Sequence, residues 1–345
     1  MVTDRGLQVL RAIVQDFVDT REPVGSRSIV DRHAFGVSAA TIRNDMAMLE
    51  EEDLIAQPHT SSGRVPTDKG YRAFVDHLAD VRPLSSAQRS AISSFLADPA
   101  DLDDLLARTV RLLTQLTGQV ALVQYPSFAQ ATVTHVQLVA LDPRRVLVII
   151  VTDTGRVSQR ITLLPAELDG EDLESVGVRL QRLVLGVSVR EAATTLESAK
   201  QTAGSPHTPQ ELALHAIANA VSEELEEFRQ NRLVMAGAAT LARREDDFRG
   251  SIHPLLEAIE EQVTLLRLLS EMGADEKGFA TSIGRENAAF GLGEASILAS
   301  EYDAAVGTAR VGLMGPTRMD YPRNLAAARA VARYLTRVLE DDESR

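Results

Sequence analysis

The stretch from Ser38 to Thr67, "SAATIRNDMAMLEEEDLIAQPHTSSGRVPT", constrains its local fold more tightly than any other part of the chain. Ser38 is a natural helix N-cap, because its hydroxyl can accept a hydrogen bond from a first-turn amide. Ile42, Met46 and Leu49 then recur at helical spacing, which leaves Ala39, Ala40, Arg43 and Asn44 on the outward side. Four acids, Glu50 to Asp53, close this helix. The polar segment after them has turn chemistry at "SSG", where Gly63 can accept a positive φ. A β-hairpin meets these demands, and the alternative is a plain flexible connector.

Upstream, Leu7, Leu10, Ile13, Val14 and Phe17 make a first amphipathic helix. Pro23 and Gly25 break it, Ser26 is placed to cap a short helix reaching His33, and Gly36 turns the chain. Two short helices joined by a tight glycine-containing turn form a helix-turn-helix pattern. Residues 1–80 therefore read as three helices and a strand pair.

"DVRPLSSAQR" at 80–89 mixes proline, serine and charge, which marks a domain boundary. Beyond it, 102–118 is helical, and strands are expected at 119–125, 135–141, 145–152 and 158–164, with "LDPRR" as a hairpin turn. Residues 167–230 are mostly helical and divided by "GSPHTP". A strong helix covers 251–272 on Leu255, Leu256, Ile259, Val263, Leu266 and Leu269, stopped by Gly273. Strands follow near 278–284, 295–302 and 308–314, then a last helix over 321–340. Strands enclosing a helical middle predict an α+β domain with an insertion.

Composition removes several classes of function. The chain has no cysteine, so disulfides and thiolate metal sites are excluded, which suits a reducing cytoplasm. The longest apolar run, "VLVIIV", is far too short to span a bilayer. His207 and His215 lack metal-ligand spacing and His33, His59 and His77 are scattered, so no metal is expected. No cofactor is implied either: GxxxxGK[ST] is absent and "GLGEAS" is not a GxGxxG fingerprint. Ser61 and Ser62 lack a GxSxG context. The loop "GLMGPTRMDYPR" invites an enzymatic reading around Arg318, but a sharp strand-to-helix connection, with Pro316 and the glycines shaping the turn, is the stronger alternative.

The net charge of −13 argues mildly against non-specific nucleic-acid binding, and residues 1–80 themselves carry nine basic against thirteen acidic side chains. Recognition depends on local placement. Ser38, Ala39, Ala40, Thr41, Arg43 and Asn44 put small or hydrogen-bonding groups at the leading end of one helix, and periodicity alone equally allows an amphipathic helix with a solvated polar face. At that leading end Arg can pair with guanine, Asn with adenine, and Ala or Thr methyls can meet thymine. His59, Thr60, Ser61, Ser62 and Arg64 supply donors for phosphate or minor-groove contact, as do Ser26 and Arg27.

"EPVGSRSIVDRHAFGVSAATIRNDMAMLEEEDLIAQPHTSSGRVPTDKGYRAFVD" resembles the N-terminal domain of the heat-inducible transcription repressor HrcA family. "SIGRENAAFGLGEASILASEYDAAVGTARVGLMGPTRMDYPRNLAAARAVARYLT" resembles that family's C-terminal signature. The resemblance implies a multidomain α+β chain: an N-terminal winged helix-turn-helix (1–80), a linker and connecting helix (81–100), a GAF-like domain in two segments (101–155 and 232–345) and an inserted dimerisation domain (156–231). It further implies a cytoplasmic homodimer that binds an inverted-repeat operator, the CIRCE element, represses chaperone operons and is kept active by the GroE chaperonin. "SAATIRND" would open the recognition helix and "HTSSGRVPT" would be the wing. Two rivals stand beside this reading: a regulator whose GAF-like domain binds a metabolite, and an enzyme built on "GPTRMD". The last requires a pocket of convergent polar groups around Arg318 and fails if Arg318 is buried against a carboxylate.

Overall fold

The structure, a computed structural model, describes residues 2–59, 62–78, 83–127, 130–202, 207–229, 232–243, 247–248, 252–275, 278–304 and 307–341. Thr60 and Ser61 lie outside them. The chain is a mixed α+β protein of two units: Met1–Gln124, Leu233–Glu301 and Arg310–Tyr334 form one, and Tyr125–Arg232, Tyr302–Ala309 and Leu335–Arg345 the other.

The first unit opens with α1 (Asp4–Thr20), α2 (Ser26–Arg32) and α3 (Ala39–Glu51). The hydroxyl of Thr3 caps α1 by accepting from the Gly6 amide, which satisfies one of the helix's orphan donors. Ser38 caps α3 as its sequence demands. Ser26 does not cap α2: Gly25 holds that position with no side-chain bond, and Ser26 is the first helical residue. Strands β1 (Ile55–Ala56) and β2 (Val65–Pro66) pair antiparallel, Ile55 opposite Pro66.

A fourth helix, α4 (Asp68–Asp76), follows at once, capped by Thr67. Its Gly70 packs so close that a Cβ would stand 1.9 Å from the Leu54 carbonyl oxygen. The strand pair expected to end the first 80 residues is thus followed by a helix that the sequence pattern does not signal. Its glycine looks like a breaker until the packing that requires it is seen. Next come α5 (Ser86–Phe95), started by a Ser85–Gln88 capping box, α6 (Leu102–Thr117) and β3 (Val120–Gln124).

In the second unit, β4 (Val133–Asp142), β5 (Arg145–Thr152) and β6 (Val157–Leu163) make an antiparallel sheet in sequence order. The Asp142 carboxylate accepts from the amides of Arg144 and Arg145 at 2.9 and 2.8 Å, closing the expected "LDPRR" turn. Helices α7 (Gly170–Val184), α8 (Val189–Thr202) and α9 (Pro209–Arg229) complete the unit. The division expected at 155/156 falls inside the β5–β6 hairpin, whose strands pair from Arg145–Leu163 to Val151–Val157. Strands β4 and β5, expected to share a domain with β3, instead form a separate sheet with β6. Alternating apolar residues specify strands but not the sheet they join.

The chain then returns to the first unit through β7 (Leu233–Ala236), α10 (Ala238–Ala242), α11 (His253–Glu261) and α12 (Val263–Glu271). The single helix expected over 251–272 is broken at Gln262, whose φ is 53°, and Val263 is 71% exposed. The break lets Leu255 and Ala258 on one piece, and Leu265, Leu268 and Leu269 on the other, enter the same core. Last come β8 (Phe279–Ile283), a 3-10 helix (Gly284–Phe290), β9 (Ala295–Ala304), β10 (Gly307–Pro316) and α13 (Tyr321–Asp341).

Strands β7-β3-β10-β9-β8 form a five-stranded sheet in that order. Val120, Leu122, Ile297, Ala299 and Met314 share one core with α11 and α12. Phe279, Ile283 and Leu298 join Met319, Tyr321 and Leu325 in another, continuous with the core of α1–α4.

Candidate nucleic-acid interface

The leading end of α3 is set by Ser38, whose hydroxyl accepts from the Thr41 amide at 3.2 Å and meets the Thr41 hydroxyl at 3.0 Å. Ile42, Met46 and Leu49 are buried beneath it, while Ala40, Arg43 and Asn44 are exposed and Ala39 and Thr41 partly so. Among the described residues, the Arg43 and Asn44 side chains make no hydrogen bond or ion pair. Arg27, on α2, is likewise exposed, with Ser26 partly buried beside it.

The trailing end of α3 is different. Acids at a helix C-terminus oppose its dipole, and here the following segment compensates. The Arg64 guanidinium bonds Glu50 through Nε (3.0 Å) and Nη2 (2.9 Å). Lys69 Nζ donates to the Glu52 carbonyl at 2.6 Å, and the Thr67 hydroxyl to the Asp53 carbonyl at 2.6 Å. These contacts cap carbonyls that the helix leaves without partners.

The hairpin between β1 and β2 corrects three expectations. The Ser62 amide donates to the His59 carbonyl at 2.9 Å, and Ser61 of the expected "SSG" turn lies outside the described residues. The Ser62 hydroxyl donates to that carbonyl and accepts from the His59 amide, so it staples the turn rather than pointing free. Gly63 is not at positive φ. It is required because a Cβ there would lie 2.5 Å from the Val24 backbone, which Arg64 bridges through reciprocal N–H···O bonds of 2.8 and 2.9 Å. Arg64 itself is occupied by Glu50. His59 remains exposed, and Thr60 and Ser61 lie outside the described residues.

Sequence reasoning missed the partners that hold α3. Asp45, immediately after Asn44, is buried, and Arg5 of α1 grips both its carboxylate oxygens at 2.8 and 3.0 Å. This pair is separated by 40 positions, so no local spacing rule could have revealed it.

Behind this surface the helices are seated on the five-stranded sheet. Arg72 binds the Glu286 carboxylate through two nitrogens and donates to the Thr281 hydroxyl (2.6 Å) and carbonyl (2.9 Å). Burial works to raise the Glu286 pKa, but hydrogen bonds from Arg72 and the Ile283 amide, with the charge of Arg72, hold it below the usual range. The Arg285 amide donates to Asp68 at 3.0 Å, and at Gly284 (φ +52°) a Cβ would collide with the same carboxylate. The rings of Tyr71 and Tyr321 lie 5.6 Å apart.

Arg318 of "GPTRMDY" is not part of an open site. Its guanidinium is buried against Asp247, which also pairs with Arg21 at 3.3 Å, and it lies 5.9 Å from the Phe17 ring. The enzymatic reading required convergent groups around an accessible Arg318, and this geometry removes it.

Residues 103–325 match the family model described as the HrcA protein C-terminal domain. The chain is 61% identical over 342 residues to the heat-inducible transcription repressor HrcA of Clavibacter michiganensis subsp. michiganensis, covering 99% of this chain and 100% of the relative. It is 57% identical over 348 residues to the repressor of the same name from Leifsonia xyli subsp. xyli, again over 99% and 100% of the two chains. The crystal structure of a hypothetical protein at 2.2 Å resolution superposes with a TM-score of 0.65 at 25% identity, covering 99% of this chain and 100% of that one. The class is therefore that of transcriptional repressors. Within it, the chain belongs to the heat-inducible transcription repressor HrcA family.

Proposed function

We propose that the first 80 residues are a winged-helix DNA-binding domain in which α3 enters the major groove and the β1–β2 hairpin is the wing. The observation that carries this reading is the contrast along α3. Arg43 and Asn44 stand exposed at its capped leading end, while Asp45 and Glu50 are held by arginines of the protein's own framework. Side chains that read base edges must be accessible and unspent. Arg43 and Asn44 read bases, Ser38, Ala39, Ala40 and Thr41 fit the groove, and Ser26, Arg27, His59, Thr60 and Ser61 approach phosphates.

In this reading the five-stranded sheet belongs to a GAF-like domain, and the unit around β4–β6 is the inserted dimerisation domain, with its boundary moved from 156 to near 125. A two-fold dimer presents two copies of α3 and so demands an inverted repeat, here the CIRCE element upstream of chaperone operons. The GroE chaperonin keeps this cytoplasmic repressor active. Footprinting of the full chain on the region upstream of the organism's chaperonin operon tests the proposal. Protection of an inverted repeat, restored after mild heat only when chaperonin is added, is expected. An unprotected repeat with folded protein overturns it.

A further inference from the structure

We propose that Glu50 and Asp45 are positioning residues for base reading: two struts that fix the roll of α3 without touching DNA. This rests on the reading of α3 as the recognition helix and adds residues outside its contact surface. Asp45 follows Asn44 directly and is side-chain buried (6% exposed), gripped at both oxygens by Arg5. One and a half turns on, Glu50 takes the fork of Arg64, whose backbone is tied to Val24 by two hydrogen bonds. One strut anchors the helix to α1 and the other, through Arg64, to the Val24 backbone ahead of α2. The bidentate Arg5–Asp45 pair fixes direction as well as distance, and Arg64 converges two nitrogens on the single Oε2 of Glu50. Base reading needs side chains held to within about 0.5 Å and 10–20°, so the supporting contacts set selectivity.

Charge gives the second strut a distinctive signature. Glu50 is an acid beside the proposed DNA surface, and Arg64, which it holds, is a cation that the sequence alone assigns to phosphate. As a strut, Glu50 lowers affinity for arbitrary DNA and raises discrimination. Replacing Glu50 by Gln releases Arg64 to find a phosphate.

The test compares wild type, E50Q, D45N and R64A on the inverted-repeat duplex from the chaperonin upstream region and on a scrambled duplex of equal length, across a salt series. Wild type binding the repeat selectively secures the underlying reading, and failure there overturns both. The expected result for E50Q is a specific-to-scrambled ratio about tenfold lower, with scrambled affinity raised and its salt slope steeper by about one. D45N lowers the ratio without that steepening. R64A lowers the ratio and leaves the salt slope unchanged. Thermal unfolding of each variant separates loss of fold from loss of register, and E50Q, which alters a surface pair, stays informative if D45N unfolds. Unchanged discrimination in E50Q overturns the proposal. So does an R64A salt slope shallower by about one, which makes Arg64 a phosphate contact instead.

Discussion

Two arginines in short polar stretches, Arg43 in "SAATIRND" and Arg318 in "GPTRMDY", look equally able to do chemistry when read as sequence. The structure separates them. Arg43 lies exposed on a capped helix, with no ion pair or side-chain hydrogen bond among the described residues. The Arg318 side chain is 11% exposed, its charge is shared with Asp247, and it packs near Phe17. The difference teaches that a polar motif becomes a binding site only where its donors are unpaired and reach solvent. Where they are spent, the same residues hold the fold together.

The strongest way to break this contrast is R318A. It should leave Asp247, 4% exposed in its side chain, with the exposed Arg21 as its remaining ion-pair partner among the described residues. Unfolding by denaturant is expected to show a loss of about 2–4 kcal/mol, because a buried charge left with one exposed, more distant partner costs more than its pair contributes. R43A should do the opposite. Its stability stays within about 0.5 kcal/mol of wild type, while operator binding falls by about 1–3 kcal/mol and specificity relaxes at one position. An R43A protein that melts early but reads DNA normally would reverse the assignment.

S38A sharpens the comparison from the other side, since Ser38 belongs to both structure and reading surface. Removing its cap is expected to cost about 1 kcal/mol in thermal unfolding, with weaker operator binding as the first turn frays. The smallest effect concerns pH. Glu286 has a depressed pKa in the folded chain, so the stability it confers is complete above the ordinary glutamate value of 4.5 and is lost as pH falls through the lower folded value. Glu286 is partly exposed, so the difference between wild type and E286Q is below about 1 kcal/mol. It should vanish in strong acid, and a difference independent of pH would show that Arg72 is not its origin.

Much of the N-terminal region was legible because its signals are local. Ser38 caps within three residues, Ile42, Met46 and Leu49 repeat on one face, and the polar segment beyond them does turn back as a hairpin. Illegible features depend on distant partners. Arg64 looked free because Glu50 lies a helix end and a hairpin away, and Gly63 looked like a turn residue because Val24 is invisible in its local context. Residues 251–272 scored as one helix since periodicity cannot register a single residue at φ 53°. The grouping of β4 and β5 failed for a related reason: two strands of similar pattern can join either of two sheets.

The shared core beneath α1–α4 carries one last consequence. Tyr71 and Phe74 meet Tyr321 across a seam whose two sides come from widely separated stretches of the sequence. An excised fragment ending near residue 78 would carry that seam as a bare aromatic scar and would be prone to self-association. Grafting the head of one relative onto the body of another should therefore succeed only when both halves of the seam travel with it.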